Sequence, residues 1–148
     1  MPRVRPVRQK RQPSSSRLVG YLEPCLLLLL TGKESHGYDL IDRLASCGYW
    51  GSDCEPSLVY RVLRKMESAG SVSSKWDMTG AGGPPRRVYS ITANGRESLT
   101  GWTIYLQETE RILQRFLAAH EKLIRNERVA TKKLEEQRDH DKRIRKQK

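Results

Sequence analysis

Chemistry of the catalytic kind is missing from this chain of 148 residues. No Cys–His or Ser–His pairing falls in a recognisable motif, no two carboxylates are arranged as a pair, and no spacing suits a metal. The glycines at 80, 82 and 83 run into Pro84-Pro85 and a strand-like segment, so they read as a hairpin tip. A phosphate-cradling loop would instead lead into a helix. An enzyme, a cofactor and a metal centre are therefore not expected. Cys25, Cys47 and Cys54 are odd in number and form no CxxC, which argues against structural disulfides and zinc. Cys47 with Cys54 stays open as a redox pair or as two free thiols. No apolar run is long enough to cross a bilayer. The longest candidate, Leu18–Leu30, is broken by Glu23 and Pro24 and is followed by Thr31-Gly32-Lys33-Glu34, which is no signal cleavage site. The chain reads as a soluble, cytoplasmic protein with no membrane partner.

Acid is absent from residues 1–17, where six arginines and lysines stand alone. Residues 121–148 hold eleven basic and six acidic side chains, and residues 18–120 hold eleven of each. The net charge of +11 thus resides in the two ends. Basic ends favour polyanions in general and name no particular one. With only 36% hydrophobic residues, the chain is expected to form one domain with parts outside its core.

Residues 1–17, rich in proline and serine, have no apolar period and are expected to be a disordered basic arm. A nearly all-apolar helix is expected over Glu23–Thr31, buried on more than one side. Ser35 is expected to cap a second helix over His36–Ser46, with Tyr38, Leu40, Ile41 and Leu44 as its apolar face. His36 reads as a helix-start residue with a structural hydrogen bond. After a turn-rich link over Gly48–Asp53 comes the stretch around which the rest is organised, Glu55–Ser68. There Leu58, Val59, Val62, Leu63 and Met66 make one buried stripe, while Arg61, Arg64 and Lys65 point away from it. Pro56 suits its first turn and Gly70 its end. Val72, Ser74 and Trp76 alternate as a half-buried strand, Thr79–Pro85 turns, and Arg86–Ile91 returns.

Three helices followed by a two-stranded hairpin is the order of a winged helix-turn-helix. The expected fold is mainly α with a small β-hairpin, occupying residues 18–91. Thr92 is expected to cap a long helix whose Leu99, Trp102, Leu106, Thr109, Leu113, Phe116, His120 and Leu123 keep an unbroken 3-4 spacing. Such a seam asks for a partner, most simply a second copy, so residues 92–124 read as a dimerisation helix. Residues 125–148 lose the seam and are expected to fray into a basic tail.

In order and spacing, Leu27–Leu30, His36-Gly37-Tyr38-Asp39-Leu40-Ile41, Tyr60, Leu63, Arg64, Met66-Glu67, Gly70, Trp76, Arg87, Tyr89, Ile91-Thr92, Gly95 and Leu99 resemble the PadR family of bacterial transcriptional regulators. The resemblance covers about residues 25–105. It implies a homodimeric winged helix-turn-helix repressor, paired through its first and last helices, with DNA contacts on the Glu55–Ser68 helix and the wing. It assigns Tyr38 and Tyr60 to the DNA-facing region. A single C-terminal helix resembles the short branch of the family, some members of which hold flat aromatic ligands between subunits. Lys75-Trp76-Asp77 with Gly83–Tyr89 and Trp102 resembles the subgroup described as polyhydroxybutyrate-responsive repressors. One departure is Arg61, where the family commonly has proline, so base preference does not transfer.

The expected partner is double-stranded promoter DNA, and the expected contacts are Tyr38, Ser57, Tyr60, Arg61, Arg64, Lys65, Lys75, Arg86 and Arg87. Two copies of the reading helix would enter major grooves about one helical turn, or ~34 Å, apart. Leu99, Trp102, Leu106, Leu113 and Phe116 are expected at the effector or dimer interface, with Trp102 either stacking on a planar small-molecule effector or packing against its mate. His120 reads as a pH-sensitive seam residue or as a plain hydrogen-bonded one. Two other readings compete: a non-specific architectural binder acting through its tails, and a module whose winged helix docks another protein.

Overall fold

A computed structural model of the chain describes residues 19–48, 55–80 and 82–147. The basic arm over 1–17, Tyr49 and Trp50 of the link, and Cys54 lie outside the described residues. The elements run α1 (Leu22–Gly32), β1 (Ser35–His36), α2 (Gly37–Ser46), α3 (Pro56–Ser68), β2 (Val72–Asp77), β3 (Arg86–Ile91) and α4 (Ala93–Lys146). This is a winged helix-turn-helix: three helices, a small antiparallel sheet, and a long C-terminal helix.

The sheet has three strands in the order β1-β3-β2, not the two of a simple hairpin. Ser35 pairs with Tyr89 and His36 with Val88. Ser35 is consequently no cap. His36 occupies the N-cap position of α2 with no side-chain cap bond, and the Ser35 hydroxyl accepts a hydrogen bond from Arg43 at 2.9 Å. The same Arg43 donates to the Leu29 carbonyl at 2.9 Å. It thereby supplies the C-terminal turn of α1, which has no basic residue of its own, with a donor and a positive charge.

The core is one cluster in which Leu22, Leu26, Leu27 and Leu30 of α1 meet Leu40 and Leu44 of α2 and Val59, Leu63 and Met66 of α3. Val72 and Tyr89 close it from the sheet. The helical stripe expected for α3 is therefore its buried face, with Leu58 and Val62 at the margins. On α1 the all-round apolar character leaves Leu28 at 46% exposure. Trp76, expected on the half-buried face of β2, is 60% exposed. Alternation holds at Val72 and Ser74, but by Trp76 the strand has run past the core.

The end of α3 is a Schellman turn. The Ser71 amide donates to the Met66 carbonyl at 2.9 Å and the Gly70 amide to the Glu67 carbonyl at 3.0 Å. Gly70 carries the φ of +78° that this turn requires. Three successive carbonyls of the turn are then taken by the start of α4. Ala69 accepts from the Asn94 side chain at 3.2 Å, Gly70 from the Thr92 hydroxyl at 2.6 Å, and Ser71 from the Thr92 amide at 3.1 Å. Thr92 also caps α4 as expected, accepting from the Gly95 amide at 3.0 Å.

Two compact units divide the chain. One ends at Trp102 and contains the winged helix with the first turns of α4; the other begins at Thr103. Within the second, α4 does not fray at residue 125 but stays helical to Lys146. Loss of the apolar seam does not end a helix made of good helix formers such as Glu, Lys, Arg and Gln. Local pairs add to this, such as Arg125–Glu121 at 3.3 Å, four residues apart. Leu113, Phe116, Leu117 and Leu123 are all more than half exposed in the single chain. Among the described residues, no helix is long and apolar enough to cross a membrane.

Candidate nucleic-acid interface

Burial of Val59, Leu63 and Met66 turns Ser57, Arg61, Arg64 and Lys65 outward on α3, all four exposed. Helical spacing of 4, 3 and 1 puts them in one stripe. Tyr60, between the faces, is half-buried, and its ring lies directly over Gly37 at the start of α2. That closeness explains the glycine. A Cβ at position 37 would overlap the Tyr60 ring and come within 3.2 Å of its hydroxyl. Gly37→Ala is expected to cost about 1–3 kcal/mol by overpacking. Most of that cost should disappear in a Tyr60→Ala background, as read from urea unfolding of the two single variants and the double.

An open concavity of about 700 Å³ separates α3 from the wing. It brings together five of the nine expected contacts: Tyr38, Tyr60, Arg64, Arg86 and Arg87. Tyr38 is 63% exposed, so it belongs to this surface and not to the apolar face of α2. Ser57, Arg61, Lys65 and Lys75 lie outside the concavity's lining. Trp76 and His36 line it too, neither of them among the contacts expected from sequence.

The cations here divide into free and committed. Among the described residues, Arg61, Arg64, Lys65 and Arg86 take part in no ion pair. Arg87 is committed. It lies 3.4 Å from Glu67 of α3 and its guanidinium stands over the Trp76 ring, 5.5 Å from the centroid. Glu67 in turn accepts a hydrogen bond from Ser74 at 2.5 Å, so one carboxylate on α3 holds both strands of the wing. Lys75 is within 3.2 Å of Glu34, an exposed pair worth little in water. Sequence reasoning missed the Glu67–Arg87 tie because its members are on different elements with no local pattern.

At the tip of the wing, Asp77 accepts hydrogen bonds from the Thr79 hydroxyl at 2.5 Å and the Thr79 amide at 3.0 Å. These bonds, with His36 behind them, hold the Asp77 carboxyl down at about 2, against an ordinary 3.8. A carboxyl depressed by folding contributes stability above its unfolded value and loses it as pH falls through its folded one. The wing tip is thus expected to loosen between about pH 4 and pH 2, visible as faster amide exchange at Thr79 while the α1–α3 core stays protected. Among the described residues, no cluster of His, Cys, Asp and Glu could hold a metal.

A model of the family described as "Transcriptional regulator PadR-like family" matches residues 26–101. Solved structures of similar fold include a transcriptional regulator from Clostridium thermocellum, 20% identical with a TM-score of 0.63, covering 71% of this chain and 98% of that one. A PadR-like transcriptional regulator from Bacillus cereus is 24% identical, with a TM-score of 0.59 and coverage of 69% and 96%. PadR from Bacillus subtilis, solved in complex with operator DNA, is 24% identical, with a TM-score of 0.50 over 57% of this chain and 46% of that one. No curated protein matches the chain.

Proposed function

Because this chain belongs to the PadR-like family of transcriptional regulators, we propose that it is a homodimeric repressor that binds operator DNA through α3 and the wing. What supports this reading is the cationic stripe of α3, in no ion pair among the described residues, whose Arg64 lines a concavity walled by tyrosines, Trp76 and Arg86. In it, α3 enters the major groove with Arg61, Arg64 and Lys65 toward bases or phosphates, while Ser57 and Tyr60 donate to phosphate. Arg86 and Lys75 flank the groove. Arg87, already held by Glu67, sets the position of the wing.

A second copy would cover the exposed Leu113 and Phe116 of α4 and Leu28 of α1. Dimerisation would place two reading helices about 34 Å apart on one face of the duplex. Release by a small-molecule effector would act near Leu99 and Trp102, which pack against the core of the winged helix. Leu106, further along α4, belongs to the seam.

The test is binding of the purified protein to the DNA upstream of its own gene, against scrambled DNA, at about 150 mM salt, where non-specific binding is weak. Selective binding as a dimer is expected. Equal, salt-labile binding to both would favour a polyanion binder working through its basic ends. Arg64→Ala is expected to lower operator affinity by about 1–3 kcal/mol. If that loss were uniform across sequences, with a shallower salt dependence, Arg64 would be a phosphate contact.

A further inference from the structure

We propose that His36 is a positioning residue for the wing, whose imidazolium form ties the wing tip to α2 and so makes DNA affinity rise on acidification through the imidazole range. The proposal rests on the DNA-binding reading above.

The geometry is a carboxylate on each side of one ring. Nδ1 of His36 lies 3.2 Å from Oδ2 of Asp39, one turn along α2. Nε2 lies 3.2 Å from Oδ2 of Asp77, forty-one residues away at the end of β2. A neutral imidazole has one N–H and one lone pair, so it can donate to only one of these oxygens and turns a lone pair toward the other. The imidazolium donates to both. Asp77 is well prepared for this role, since its Oδ1 is occupied by Thr79 and its Oδ2 is left for His36. Asp77 stays ionised far below neutrality. Of the two side-chain types in the pair, imidazole is the one that ordinarily changes charge between about pH 5 and 8.

Other charges face the same space. Arg64 of α3 and Arg86 and Arg87 of β3 line the concavity with His36 and oppose a further positive charge there. Glu34, just before β1, is engaged by Lys75 and accepts from Ser90, both on the wing. At the wing's base, Arg87 is paired with Glu67 of α3, and guanidinium and carboxylate groups ordinarily do not change charge between about pH 5.5 and 8. The base therefore stays pinned to α3 at any pH near neutrality. Only the tip, through Asp77, depends on a group that changes charge there.

The experiment measures affinity of the full chain for the duplex upstream of its own gene from pH 8 to 5.5 at constant ionic strength. Wild type is expected to gain roughly five- to tenfold. His36→Gln and Asp77→Asn should both flatten the profile. If Asp77→Asn kept the full pH slope and only His36→Gln lost it, His36 would be contacting phosphate directly and the proposal would fall. A second reading needs no DNA: the indole N–H signal of Trp76 in the free protein, identified by its loss in Trp76→Phe. It should move with pH between 5.5 and 8 in wild type and stay still in Asp77→Asn. An immobile wild-type signal overturns the proposal. A moving one that Asp77→Asn abolishes sustains it, even should DNA selectivity be absent and the DNA-binding reading fail.

Discussion

Replacing Leu113 and Phe116 together by glutamate is expected to yield a folded but monomeric protein that binds operator DNA at least about a hundredfold more weakly. Both side chains stand out from α4 in the single chain, Leu113 at 55% and Phe116 at 68% exposure. They lie three residues apart on a stripe with Leu117 and Leu123, similarly uncovered. Fully burying a side chain of this kind stabilises by about 1.5–3 kcal/mol. A twofold contact repeats that gain in each subunit, and glutamate would replace it with like charges facing each other. Because neither residue packs in the core of the winged helix, the α1–α3 core should keep its stability. On the proposed dimeric reading, the loss of DNA affinity would come from separating two half-site contacts that dimerisation makes effectively intramolecular. Sedimentation equilibrium and a binding titration on the same sample check this. A variant that stayed dimeric would remove α4 as the pairing element.

Gly95→Ala should give the largest loss of stability, toward or beyond the upper end of the about 1–3 kcal/mol typical of overpacking. Gly95 is the one buried residue of α4 among those described. A Cβ there would run into the Ser71 carbonyl oxygen and come within 2.8 Å of Ile91 Cγ1. The oxygen in the way is backbone, part of the Schellman turn, and already accepts from the Thr92 amide. No side-chain rotation can relieve the overlap, in contrast to Gly37, where a tyrosine ring can move. Urea unfolding should show a lowered midpoint with an unchanged slope. A change below about 0.5 kcal/mol, the range of ordinary surface substitutions, would mean that α4 can lift off the turn at little cost.

Much of the fold is legible in the sequence because it is periodic. The 3-4 spacing of Val59, Leu63 and Met66 specifies which face of α3 is buried, and hence that Arg61, Arg64 and Lys65 are outside. Thr92 and Gly70 are local punctuation with local causes. What escapes is short or long-range. β1 is two residues long, too short for any alternation to register, so Ser35 looks like a cap when its backbone is in a sheet. Trp76 obeys the alternation of β2 yet is exposed, since period says which face a residue is on and nothing about where the core ends. The Glu67–Arg87 and His36–Asp77 ties join residues far apart in the chain. Without the fold there is no reason to put them together. The end of α4 is not legible from its seam for another reason: a seam reports on partners, whereas helix persistence depends on propensity and local pairs.

The three carbonyls that α4 takes from the α3 turn make a joint without backlash. Ala69, Gly70 and Ser71 are each gripped by a group from Thr92 or Asn94, with no slack loop between the two helices. Two of the donors are short side chains, Asn94 and Thr92, and the third is the Thr92 backbone amide, so the start of α4 is fastened to the end of α3 at three consecutive points. A turn of the first residues of α4 would then carry the C-terminal end of α3 with it, as a crankshaft carries the rod bolted to it.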